Sequence, residues 1–405
     1  MKKKLNLLVN YLEKKLSRKR SSTMPWKFFI EVALSCNLQC ITCVHGKQTI
    51  KGVMPDLVFD RIKPYLDYAR VVHEVGYGEP FLNKTFIQKL TYLKGKSAYV
   101  DVTTNGTLLD RDTSYKLIDA GLDQITFSLD GATPETFESI RKGAKFSRVL
   151  RNIEALSEIK KLRNTKTPFM RINFVGMKRN MAELPDIIKL AARLGVGEVV
   201  LSDLFPPDYQ LGRECLFFHP ELAENSITDA KRAAKESGIN LITPSSFKKP
   251  EFSYEQTAVT GEDKEDTKEQ NIDQATELIS DSNECAHTGF FSPGKIRKIS
   301  PCYEPWQTLY VTCEGKVKPC CAMVETFGDI NRQRLEDIWN SEKYRLLRKT
   351  VNTESPAFEA CRTCLFRNRV RFSLKEGFGL LKNVLVNEGP VRTLKKSAKY
   401  VVEYF

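Results

Sequence analysis

No run of apolar residues in this chain of 405 approaches the roughly 20 needed to cross a bilayer as a helix. The opening stretch, M-K-K-K-L-N-L-L-V-N-Y-L-E-K-K-L-S-R-K-R, lacks the apolar core and small-residue cleavage site of a secretory signal. A cytoplasmic protein is therefore expected. Histidine is scarce, with four in all. His73, on an expected strand, reads as a packed core residue, and His219 and His287 have no ligand partners in sequence. The net charge of +13 would suit a nucleic-acid binder, but no helix-turn-helix, RNP or finger spacing is found and the basic residues are spread along the chain, so no nucleic acid is expected.

Cysteine, by contrast, is plentiful. Eleven thiols in a cytosolic chain point to metal or redox chemistry rather than to a disulfide framework, because that compartment keeps thiols reduced. Seven of them fall into two patterned sets, and Cys215, Cys285, Cys313 and Cys321 have no clear partner pattern. The first set is Cys36, Cys40 and Cys43, in C-N-L-Q-C-I-T-C after the apolar stretch Phe28 to Leu34. Three thiolates can hold one corner of a four-iron cubane and leave it one ligand short, which marks an open coordination site. A structural zinc knuckle is the alternative; it needs a fourth ligand, and His45 is two residues downstream.

From residue 28 to about 204, β-rich runs alternate with amphipathic helical stretches. The expected strands are Phe28–Leu34, Val71–Val75, Tyr99–Thr103, Gln124–Leu129, Met170–Val175 and Glu198–Leu201, with helices between them. Six such repeats predict an α/β fold with a parallel sheet, a partial (βα)6 TIM-like barrel rather than a closed one of eight. In such folds ligands lie beyond the carboxyl ends of the strands. Four motifs fall there: the cysteine loop, Gly76-Tyr77-Gly78-Glu79-Pro80, Thr103-Thr104-Asn105-Gly106 and Ser128-Leu129-Asp130-Gly131.

Together these motifs resemble the radical S-adenosylmethionine (SAM) superfamily. The resemblance implies that the amino and carboxylate groups of SAM complete a 4Fe-4S cluster held by Cys36, Cys40 and Cys43. It implies that Gly76, Gly78 and Glu79 receive the SAM ammonium, and that Ser128 and Asp130 sit near its ribose and methionine part. Arg141 is then placed to pair with the carboxylate, and Thr104 and Asn105 line the same rim. In much of the family the residue before the third cysteine is aromatic and packs near adenine. Here it is Thr42, so the apolar contact is expected from Phe174, Val175 or Leu201.

The second set is Cys302, Cys320, Cys361 and Cys364, in a stretch where twelve residues separate Cys302 from Gly315 and four separate Gly315 from Cys320. It resembles the SPASM and twitch extensions of radical SAM enzymes, the cysteine count favouring the twitch form with one auxiliary 4Fe-4S cluster. Four thiolates saturate a cubane, and they also suit zinc. Cys320 and Cys321 are both open as the ligand at that position.

The expected organisation is a basic amphipathic segment over 1–25, a barrel with its trailing βα segment over 26–247, a charged flexible insertion over 248–298, a small cysteine-rich module over 299–370 and basic amphipathic helices over 371–405. The terminal segments place Leu, Val, Tyr and Phe at helical spacing among lysines, so they either pack on the body with solvated lysines or lie on a membrane surface or partner. The resemblance implies reductive cleavage of SAM to a 5′-deoxyadenosyl radical that takes a substrate hydrogen. Oxidation of a small-molecule or peptide substrate is expected to follow, with the auxiliary cluster taking the second electron and a donor such as flavodoxin or ferredoxin supplying the first. A peptide or protein maturase is the enzymatic alternative, and a non-catalytic zinc or iron-sulfur protein at a membrane or partner surface is the alternative of another class.

Overall fold

The structure, a computed structural model, describes residues 2–43, 51–207, 209–244, 301–362 and 364. The expected insertion 248–298 and C-terminal segment 371–405, with His45 and His287, lie outside the described residues.

Six βα repeats form as the alternation predicts. The strands are β1 (Lys27–Ile30), β2 (Val71–Glu74), β3 (Tyr99–Thr104), β4 (Gln124–Ser128), β5 (Phe169–Gly176) and β6 (Glu198–Asp203), all parallel and paired in chain order. A seventh parallel strand, β7 (Asn240–Ile242), adds beside β6 after the helix Pro220–Ser237. On the other edge β8 (Thr308–Val311) pairs parallel with β1, then turns through Gly315 into the antiparallel β9 (Lys316–Lys318) and on to β10 (Gly328–Asp329). The cysteine-rich module therefore continues the barrel's own sheet. Eight strands run parallel in the order β8-β1-β2-β3-β4-β5-β6-β7, but β7 and β8 are not neighbours, so the barrel stays open.

Strand parity divides the molecule into two environments. Phe28, Ile30, Val72, Val100, Val102, Ile125, Phe127, Ile172, Phe174 and Val199 point outward and are buried under helices. The alternate positions face the lumen and are mostly polar: His73, Asp101, Thr103, Thr126, Ser128, Arg171, Asn173 and Ser202. A lumen lined this way is not filled by apolar packing as a closed barrel's is.

Local chemistry sets the boundaries. Asp110 caps the helix Arg111–Asp119 by accepting from Thr113 N at 2.8 Å, and Thr133 caps Pro134–Ile140 through Thr136 N. β1 is shorter than the apolar stretch because the backbone beyond Ile30 changes partners: Met54 N donates to Val32 O and Leu34 N to Gly52 O, both at 2.9 Å. Two helices follow β10, Leu335–Trp339 and Glu342–Thr350, with Ser341 capping the second.

Helix α1 (Lys2–Lys15) packs on the body by its polar side. Asn6, Asn10 and Glu13 are buried, whereas Leu5, Leu8, Leu12 and Leu16 beside and after it are at least half exposed. Glu13 accepts from Ser21 Oγ at 2.6 Å, Ser22 N at 2.6 Å and Thr23 Oγ1 at 2.8 Å, which holds its carboxylate below the usual range despite the opposing effect of burial. Asn6 exchanges hydrogen bonds with the Met24 backbone at 2.9 Å each way, and Trp26 Nε1 donates to Asn10 Oδ1 at 3.2 Å.

Candidate active site at the two ends of the lumen

The cysteine loop is held by its backbone and by Asn37, whose Nδ2 donates to Thr107 Oγ1 at 2.8 Å and whose Oδ1 accepts from Asn105 Nδ2 at 2.9 Å. Gln39 N donates to Lys142 O and Ile41 N to Ile140 O, each at 2.9 Å, so the loop lies along the segment that follows β4 and its helix. That pairing brings Arg141 to the loop, with Nη1 at 3.9 Å from Cys40 Sγ, and Asn105 Nδ2 lies 3.9 Å from Cys36 Sγ. Burial pushes the Cys40 thiol up to about 11, against the pull of Arg141, and raises Cys36 as well. Burial thus disfavours the thiolate form of Cys36 and Cys40, an effect that a bound metal would oppose.

Gly78 fits where no other residue does: a Cβ would stand 2.3 Å from Ala33 O and 2.7 Å from Ser35 O. Its closeness lets Glu79 N donate to Ser35 O at 2.9 Å, joining the Gly-Tyr-Gly-Glu-Pro turn to the cysteine loop. Gly76 is required in the same way, since its Cβ would meet Glu31 Cγ at 2.5 Å.

The Glu79 carboxylate is buried and accepts from Thr104 Oγ1 at 2.7 Å, Asn105 N at 2.8 Å and Phe81 N at 3.4 Å. Burial outweighs these bonds and pushes it up to about 7. An arriving ammonium would reverse that shift. Asp130, fully buried, pairs with Arg141 Nη2 at 2.7 Å and accepts from Val175 N at 2.9 Å. Gly131 lets the following helix close on β4, because a Cβ would lie 2.6 Å from Phe137 N. Ser128 is half-buried at the end of β4. Thus Cys36, Cys40, Gly78, Glu79, Thr104, Asn105, Asp130 and Arg141 form one connected rim, joined by contacts the sequence does not display.

Two of the three residues expected near adenine are placed elsewhere. Phe174 and Leu201 are buried on the outer face of β5 and β6, because their parity turns them toward the helices. Val175 is half-buried against a small apolar cluster of Ile140, Met177, Leu204, Leu211 and Cys215, which also takes Ile41 of the cysteine loop.

The second cysteine set lies at the opposite end of the lumen. Cys302 precedes the short helix Glu304–Gln307 that leads into the start of β8, and Cys320 follows β9, which runs back down beside β8. Cys302, Cys320, Cys361 and Cys364 are half-buried and Cys321 is exposed. The Cys302 thiol, pushed up to about 12 chiefly by burial, feels Cys364 and Cys361, and Cys320 is raised by burial with Cys321 and Cys302 adding to it. Cys313 is buried at the far end of the hairpin, where its N–H donates to Glu31 Oε2 at 3.2 Å. Among the described residues no group of three or more His, Cys, Asp or Glu side chains converges tightly enough to hold a metal ion.

Between the two ends stand residues that sequence reasoning passed over. His73 faces the lumen with its side chain about 21% exposed, its Nδ1 2.6 Å from Asp101 Oδ2 and its ring 4.6 Å from that of Phe29. Glu31 accepts from Tyr77 N at 3.2 Å and Tyr310 Oη at 3.4 Å, tying the glycine turn to β8. The signal was parity: Phe29, His73 and Asp101 share one register level, as do Phe29 and Tyr310.

Comparison with known proteins agrees with both ends. Residues 30–191 match the radical SAM superfamily and residues 302–365 match SPASM, an iron-sulfur cluster-binding domain. A tungsten-containing aldehyde ferredoxin oxidoreductase cofactor-modifying protein of Pyrococcus furiosus is 23% identical over 354 residues, 85% of this chain and 88% of that protein. An AdoMet-dependent heme synthase of Methanosarcina barkeri is 27% identical over 328 residues, 78% of this chain and 83% of its own. The crystal structure of Streptococcus suis SuiB bound to the precursor peptide SuiA shares the fold, with a TM-score of 0.55 at 16% identity over 84% of this chain and 70% of that one.

Proposed function

The chain is a radical SAM enzyme with a C-terminal SPASM iron-sulfur domain, and from that premise we propose that it oxidises a small polar metabolite or a peptide side chain held in the lumen between its two cysteine sets. Its cofactors are SAM and 4Fe-4S clusters. Cys36, Cys40 and Cys43 would hold the cluster that takes SAM, and Cys302, Cys320, Cys361 and Cys364 an auxiliary one. The match to SPASM rather than twitch adds no patterned cysteine, since Cys313 is buried in the core at the other end of the hairpin. When bound, the reduced cluster and SAM supply a 5′-deoxyadenosyl radical that removes a hydrogen atom from substrate.

The fit of these groups is argued from the rim. The close approach of Gly78 to the Ala33 and Ser35 backbone holds the turn against the cysteine loop, and the buried, destabilised carboxylate of Glu79 is ready for an ammonium. Arg141 stands beside Cys40 to take a carboxylate, while Asp130 holds its guanidinium in place. Ser128, Thr104 and Asn105 complete the rim. Ile41 and Val175, partly buried against Ile140, would offer adenine the apolar contact that Thr42 cannot.

The observation that carries the oxidative reading is the polar face that the strands present between the two cysteine sets. Side chains there bind and orient a polar substrate, and His73, oriented by Asp101, is placed to accept a proton as the substrate is oxidised. Flavodoxin or ferredoxin would supply the first electron. The names of the relatives, a cofactor-modifying protein and a heme synthase, and the peptide-bound SuiB structure keep both cofactor-like and peptide substrates in view.

Anaerobic reconstitution with iron and sulfide tests the reading. Dithionite should drive cleavage of SAM to 5′-deoxyadenosine, and Cys40→Ala should lower it at least about a hundredfold. Cys302→Ala should spare that cleavage and abolish substrate oxidation. Bound zinc with no cleavage would overturn the enzyme reading, and product formation that survives Cys302→Ala would remove the auxiliary cluster as electron acceptor.

A further inference from the structure

We propose that α1 is a peripheral membrane anchor that lays a leucine stripe onto an anionic lipid surface, an inference that does not rest on the radical chemistry. An amphipathic helix on a globular body ordinarily buries its apolar side. This one is inverted. Its docking side is Asn6, Asn10, Glu13 and Lys14; the first three are satisfied by partners in Ser21–Trp26 or, for Asn10, also by the Trp306 carbonyl, and Lys14 lies over the Tyr303 ring. Leu5, Leu8, Leu12 and Leu16, spaced three, four and four residues apart, share the opposite side and are 61%, 60%, 50% and 71% exposed. The inversion is enforced: turning the leucines inward would bury them only by stripping a charged carboxylate and two carboxamides of their hydrogen bonds.

Charge selects the occupant. Lys2, Lys4, Lys15, Arg18, Lys19 and Arg20 are exposed around the stripe, and the sole acidic residue among positions 2–20, Glu13, is buried. The surface offered is therefore apolar with a wholly cationic border, which suits anionic phospholipid, where leucines enter the acyl boundary and lysines meet the headgroups. A second copy of α1, or the basic segment 371–405 of this chain, would bring like charge against like.

The placement gives the docked protein an orientation. α1 and the residues after it bond to groups just before strands: Lys3 Nζ to Lys96 O ahead of β3, Asn10 to Trp306 O ahead of β8, and Trp26 ahead of β1 to Asn10. The helix thus lies under the amino ends of the strands, and its leucines face away from the barrel. The rim around Cys36 to Cys43, at the carboxyl ends, then opens away from the bilayer toward soluble substrate.

Flotation of the full-length protein with vesicles tests this. At moderate salt it should float with phosphatidylcholine vesicles containing about one third phosphatidylglycerol and stay behind with phosphatidylcholine alone. Leu8→Ser with Leu12→Ser should weaken flotation by about tenfold or more while leaving the melting temperature and elution volume unchanged, because both side chains are at the surface. The proposal fails if the wild type ignores anionic vesicles or if the double variant floats undiminished. It fails equally if the stripe instead mediates a dimer, seen as a wild-type elution shift that the double variant removes without any flotation.

Discussion

Glu74 is the residue whose energetics are most exposed to test. It ends β2 on the outward side, is fully buried, and neither carboxylate oxygen has a hydrogen-bond partner. Burial pushes it up to about 8 from an ordinary 4.5. The folded protein therefore holds a proton that the unfolded chain releases, and stability falls as pH rises from about 4.5 to about 8. Glu74→Gln, which keeps the shape but cannot ionise, should flatten that slope by on the order of 1–3 kcal/mol, read as a smaller loss of melting temperature between pH 5 and pH 8 than the wild type shows. An unchanged slope would mean that the acid is relieved by something other than protonation. Glu79 contrasts with it. That carboxylate is as buried but accepts three hydrogen bonds, and it sits where a cationic ligand can reach.

At the scale of elements, α1 depends on one side chain more than on any propensity. Glu13 gathers Ser21, Ser22 and Thr23 into a turn that reverses the chain and delivers it to β1. Glu13→Ala would leave those buried donors without their acceptor, at a cost of about 1–3 kcal/mol concentrated in the docking of α1. Trypsin cleavage at Arg18, Lys19 and Arg20 should then speed up severalfold while the global melting temperature moves little. Unaltered cleavage would show that Asn6 and Asn10 suffice. Lys2, Lys4 and Lys15 of this segment are exposed, whereas Lys14 is buried. The sequence did not foretell which face meets the body, because helical spacing shows that two faces exist without saying which is satisfied by partners distant in sequence.

For the molecule as a whole, the deciding contact is β8 on β1. The four residue pairs from Lys27 with Thr308 to Ile30 with Val311 make the cysteine-rich module part of the barrel's sheet. Trp306 and Trp339 strengthen the union, each fully buried, with their indoles donating to Arg18 O and Thr23 O at 2.8 Å. A fragment ending at residue 244 would expose the β1 edge and the apolar surface these tryptophans cover. It should aggregate or melt without cooperativity, whereas the full chain melts in a sharp transition; a soluble, cooperative fragment would show the module to be separable. The same strand sets Glu79 and Arg141 at the carboxyl ends of the parallel strands and Cys302 and Cys320 at the amino end.

The sequence by itself determined whatever depends on near neighbours along the chain. The cysteine spacings, the glycines of Gly76-Tyr77-Gly78, the six βα repeats and the motifs at their ends are all local patterns, and local patterns mark candidate ligands and the order of strands and helices. The family resemblance rested on those same residues. Tertiary structure decided whatever depends on register and on which face turns inward. It turned Phe174 and Leu201 away from the rim, brought His73 to Asp101, set Glu31 between Tyr77 and Tyr310, and docked α1 by its polar side. The physical reason is that burial and hydrogen bonding are satisfied by residues tens to hundreds of positions apart. A pattern read along one strand or helix shows what each face carries, and only the packed fold shows what that face must meet.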